Sequence, residues 1–111
     1  MGEQTYGAEL EIYGITTSQI RDAITGIDGA TYAGHFSYHG SRRLGNRHAR
    51  MDGTPIVWVS ESDSSLREHL PAEVISPILY GREGLAHLRR VMKALVRAGA
   101  RVNSSCGTHL T

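Results

Sequence analysis

Glu9 and Glu11 stand two residues apart in an alternating stretch. In an extended strand that spacing puts both carboxylates on one face, with Cα atoms roughly 7 Å apart. Two such carboxylates can share a divalent cation. Mg²⁺ is typically held by one or two carboxylates together with substrate phosphates, and its charge offsets their mutual repulsion. The polar side of an ordinary two-faced strand shows the same alternation, so both readings stay open. Glu73 begins the otherwise apolar run Ala72-Glu73-Val74-Ile75-Ser76. An unpaired carboxylate there is costly if buried and cheap if it faces solvent or a metal. Asp63, within Glu61-Ser62-Asp63-Ser64-Ser65, suits a turn or helix cap as well as a further acidic ligand.

A second group is basic. Arg42, Arg43, Arg47, His48 and Arg50 are interleaved with Gly40 and Gly45. A loop of this kind can present several guanidiniums to a phosphate, an acidic protein surface or nucleic acid, and it can equally be a solvated basic loop. Twelve basic and eleven acidic residues give a net charge of +1, which excludes the strong overall field of a histone-like or polyacidic protein. Any charge-driven partner must be met locally. Cys106 and His109 could be cast as nucleophile and base but lack a recognisable third group. His35 and His39 lack the further ligands of a zinc site and read as loop or strand-surface residues.

These side chains need elements to position them. Tyr6 to Tyr13 alternates as a half-buried strand with Tyr6, Ala8, Leu10 and Ile12 on one side. Thr16 or Thr17 can cap a short helix carrying Ile20, Ala23, Ile24 and Ile27 at helical spacing. Ala30 to Tyr38 reads as a second strand, Gly40 to Gly53 as a long loop, and Ile56 to Ser60 as a strand central in the sheet. Glu61 to Ser65 reads as a polar turn. Ala72 to Ser76 forms a further strand, stopped by Pro77, which cannot donate a ladder hydrogen bond. Gly81 and Gly84 open a helix of about four turns, with Leu85, Leu88, Met92, Leu95 and Val96 on its apolar stripe and Gly99 as its stop. Arg101 to Ser105 begins a last strand. The order β-α-β-β-β-α-β, its middle strands joined by turns, gives an α+β fold with a largely antiparallel sheet and helices covering one face.

The 111 residues are expected to form one small domain, residues 1–111. A chain this short has little surface from which to enclose a deep active site. The longest apolar segments, such as Pro55 to Val59, fall far short of the roughly 20 residues that span a bilayer. With no signal-like N-terminus and a single cysteine, the expected location is the cytoplasm, with no membrane partner.

Taken in order, YGAELEI, SESDSSL, AEVISPIL, a helix ending AGARV, and SSCGTHL resemble the N-terminal part of the amidoligase family. That family stands with the carboxylate-amine ligases, including gamma-glutamylcysteine ligase and glutamine synthetase. The resemblance covers most of the chain, with little contribution from Ala30 to Gly53. It implies ATP-dependent activation of a carboxylate as an acyl phosphate, attack by an amine, and Mg²⁺ organising the nucleotide phosphates. It further implies metal-ligand roles for Glu9, Glu11 and Glu73, with Asp63 and His109 as weaker carry-overs. The family's terminal G-x-H segment continues with an apolar residue and then His or Asn, whereas Thr111 follows Leu110 here. If catalytic, a chain this short is expected to need a second copy or another subunit to complete the pocket. The competing expectation is a non-catalytic binding or inhibitor protein, encoded by a virus or mobile element, that uses the half-fold and the arginines at 42, 43, 47 and 50 to engage a protein or nucleic-acid complex.

Overall fold

The computed structural model describes residues 5–37, 56–62, 70–102 and 109–110. Its strands are β1 (Thr5–Gly7), β2 (Glu9–Tyr13), β3 (Ala30–Phe36), β4 (Ile56–Ser62), β5 (Ala72–Ile75), β6 (Leu79–Tyr80), β7 (Arg101–Val102) and β8 (His109–Leu110). Two helices, α1 (Thr17–Thr25) and α2 (Gly81–Arg97), complete it. The main sheet has the order β3-β4-β5-β2-β7, and a smaller sheet has the order β6-β1-β8. Among the described residues only the β3–β4 pair is parallel. The fold is α+β with a largely antiparallel sheet, as its sequence pattern predicts.

The single strand expected from Tyr6 to Tyr13 is two strands in two sheets. The break falls where β1–β2 runs against β5–β6, and there the register shifts by one residue between Glu9↔Ile75 and Tyr6↔Leu79. Pro77 lacks an N–H, so the ladder cannot simply continue past it. Ser76 closes the gap. Its N–H donates to the Ala8 carbonyl at 2.9 Å, its Oγ accepts from the Ala8 N–H at 2.8 Å, and its hydroxyl donates to the Pro77 carbonyl at 2.7 Å.

The middle strands also differ from the expectation of turn-linked neighbours. β3 and β4 are parallel, a pairing that needs a connection of a dozen or more residues, which the interval from Phe36 to Ile56 supplies. β4 lies inside the sheet, but the central strand is β5. Glu61 belongs to β4 and is buried. The strand continues through the position read as a polar turn because Val57, Val59 and Glu61 keep the two-residue period.

Thr16 caps α1 with a full capping box: its side chain accepts from the Gln19 N–H and the Gln19 side chain accepts from the Thr16 N–H. Ile20 and Ile24 are its buried residues. In α2 the buried stripe is Gly84, His87, Leu88, Val91 and Leu95, rotated from the expected one, and Leu85 and Val96 are exposed. The stripe turned because Trp58 on β4 donates its indole N–H to His87 Nε2 at 2.9 Å, giving a polar side chain a place inside. α2 ends in a Schellman motif, Gly99 N–H to Val96 and Ala100 N–H to Leu95, with Gly99 at φ +105°. Both helices pack on the sheet face that carries Leu10, Ile12, Trp58, Ala72 and Val74, forming one core.

Candidate functional site

The opposite face of the sheet carries the acids. Glu11 on β2 faces Glu73 on β5, and Glu73 in turn faces Glu61 on β4. Three neighbouring strands thus set three carboxylates in one row. Directly opposed residues have Cβ atoms about 4.5–5.5 Å apart, and like charges so placed repel. Glu61 is only 2% exposed, Glu11 and Glu73 are half-buried, and Glu9 is exposed beside Glu11 and opposite Ile75. Glu11, Glu73 and Glu61 each make further polar or electrostatic contacts.

Of the residues expected from sequence, Glu9, Glu11 and Glu73 share this face, and Glu11 and Glu73 are brought side by side. Asp63, Arg42, Arg43, Arg47 and Arg50 lie outside the described residues. His109 pairs through its backbone with Gly7 at the edge of the smaller sheet. Glu61 is the acid that the sequence reading missed, and the continuing alternation from Val57 was the signal for it. The oxygen-only donor set suits a hard cation such as Mg²⁺. Among the described residues no three His, Cys, Asp or Glu side chains are arranged to hold a metal by themselves.

The helix-bearing face carries a different polar group. The β3–β4 register slips by one residue between Tyr32 and His35, and Gly34 in that interval sits at φ +140°. His35 consequently lies on the same face as Tyr32 instead of the opposite one. His35 Nδ1 is 2.7 Å from Ser60 Oγ and Nε2 is 3.0 Å from Ser62 Oγ, so the imidazole bridges alternate serines of β4. Ser60 Oγ also meets the Tyr32 hydroxyl at 2.5 Å. Burial lowers the pKa of His35, against the opposing charge of Glu61. Burial raises that of Tyr32, against the Ser60 hydrogen bond and the Arg21 charge. A separate open cleft of about 930 Å³ between the end of α1 and α2 has Asp28, Arg90, Lys93 and Arg97 in its lining.

The mixed sheet thus carries helices on one face and a row of three carboxylates on the other. The chain belongs to the amidoligase family: the family model described as "Putative amidoligase enzyme" matches residues 2–111. No curated protein and no solved structure matches it. No helix among the described residues is long and apolar enough to cross a membrane.

Proposed function

We propose that the chain is an amidoligase-type domain serving ATP-dependent ligation of a carboxylate to an amine, with the Glu11–Glu73–Glu61 row as its metal-binding edge. The observation that carries this reading is the register that aligns those three glutamates, taken with membership of the family. Glu11 and Glu73 would hold Mg²⁺, with Glu9 at the exposed margin and Glu61 anchoring the row from within the sheet. When bound, Mg²⁺ neutralises phosphate charge and orients the transferred phosphoryl group. The glutamates position that charge, and no protein nucleophile is required for the phosphoryl step.

Acyl phosphate formed from ATP and a carboxylate is trapped by hydroxylamine as a hydroxamate. The expected outcome is Mg²⁺- and ATP-dependent hydroxamate formation with at least one carboxylate from a panel, reduced by about 100-fold or more in a Glu11→Gln/Glu73→Gln variant, the scale seen when one stabilising group is lost. Trapping that is absent, or unchanged in the variant, would remove the ligase reading and favour the partner-binding one.

A further inference from the structure

We propose that Ser62 is a nucleophile that accepts an acyl group from small apolar esters or thioesters, with His35 as its general base. This goes beyond the ligase reading and uses the other face of the sheet. Ser62 is exposed and its Oγ lies 3.0 Å from His35 Nε2, within the reach that a nucleophile and its base require. Ser60 is fully buried and faces the other ring nitrogen. In the tautomer that serves as base, Nδ1–H donates to Ser60 Oγ and Ser60 donates to Tyr32, which leaves Nε2 unprotonated toward Ser62. Burial lowers the pKa of His35 while the charge of Glu61 on β4 opposes the shift, and the net direction favours the neutral imidazole.

The backbone is shaped for this contact. An unbulged β3 would turn His35 to the opposite face. The one-residue slip and the left-handed Gly34 aim it at Ser60 and Ser62 instead. Bulges recur where a strand must redirect a functional side chain.

Ser62 and His35 also line a pocket of about 360 Å³ whose other walls include Ile15, Ile20, Leu70 and Pro71. Those walls are apolar, which selects a short apolar acyl chain over a charged one. Thr16 and Thr17 at the start of α1 border the same pocket. The Thr16 and Gln19 N–H groups are taken by the capping box, which leaves the first-turn N–H of Thr17 as the donor at this border for a developing oxyanion.

In the reaction Ser62 Oγ adds to the acyl carbonyl while its proton passes to His35 Nε2. The adduct collapses, the carbonyl carbon's bond to the leaving oxygen or sulfur breaks, and that group departs with the proton from His35. Water, giving a proton to His35, then adds to the acyl-serine. The bond from the carbonyl carbon to Oγ breaks, the proton returns to Ser62, and the carboxylic acid is released.

The test treats the full chain with p-nitrophenyl butyrate and maps the butyryl group by peptide mass spectrometry, with Trp58 fluorescence confirming that each variant is folded. The expected result is acylation at Ser62, abolished in Ser62→Ala and slowed about 100-fold or more in His35→Gln. The wild-type rate should rise with pH around a midpoint below the ordinary histidine value of about 6.5. Ser60→Ala should slow acylation and move that midpoint, and an unmoved midpoint would contradict Ser60's part in orienting the base. Butyryl groups found only on other residues, or on Ser62 at an undiminished rate in His35→Gln, would overturn the proposal.

Discussion

The Trp58 indole nitrogen can only donate, so its 2.9 Å bond to His87 Nε2 fixes His87 as the neutral tautomer with its proton on Nδ1. Burial first, and the nearby Arg90 charge second, lower the pKa of His87. A histidine whose folded pKa is depressed contributes stability that is fully present above its unfolded value of about 6.5 and is lost as pH falls through the folded value. Urea unfolding should therefore show stability constant above about pH 7 and declining below about 6.5, before most carboxylates titrate. His87→Gln should be less stable at pH 7 and flatter across that window; an unchanged slope would contradict the assignment. Trp58 is the only tryptophan, so its emission follows the same titration. Ser76 makes a comparable point without charge. Ser76→Ala leaves the buried Ala8 N–H without its side-chain acceptor, which should cost about 1–3 kcal/mol in urea unfolding. The sequence showed Pro77 as a strand stop, but it could not show the serine's role, because the partner Ala8 lies 68 residues away.

At the level of elements, local chemistry read well where it was sufficient. Thr16 and Gln19 close a capping box within four residues, and Gly99 ends α2 through backbone bonds to Val96 and Leu95. Gly99→Ala should cost about 1–2 kcal/mol, the penalty for a side chain in left-handed backbone. A Cβ there would lie an ordinary 3.6 Å from Ile15 Cγ2, so the loss should appear as a lower urea midpoint with an unchanged slope. A shift within experimental error would contradict the cap's contribution. Local pattern failed where a neighbour decides. His87 is polar yet buried, and Val96 is apolar yet 56% exposed, because the Trp58 contact sets the rotation of α2. The Tyr6–Tyr13 alternation likewise runs unbroken in sequence although the chain changes sheets at Ala8. Gly7, just before it, is the one local mark of that break; the ladder across from it decides it.

For the molecule as a whole, strand partners and register decide the site. Glu11 and Glu73 were visible as acids on strands, but their opposition depends on β2 pairing with β5 in one register, and Glu61 joins them only because β4 lies on the other side of β5. A one-residue slip would turn one strand's acids to the helix face. The parallel β3–β4 pair was equally hidden, since sequence order does not say which edge a returning strand takes. As proposed, this carboxylate row binds Mg²⁺ together with ATP. Isothermal titration of the full chain with Mg²⁺ and ATP, separately and together, tests it most directly. Binding should be stronger when both are present and should be lost in Glu11→Gln/Glu73→Gln. No binding at millimolar ligand, or equal binding in that variant, would contradict it.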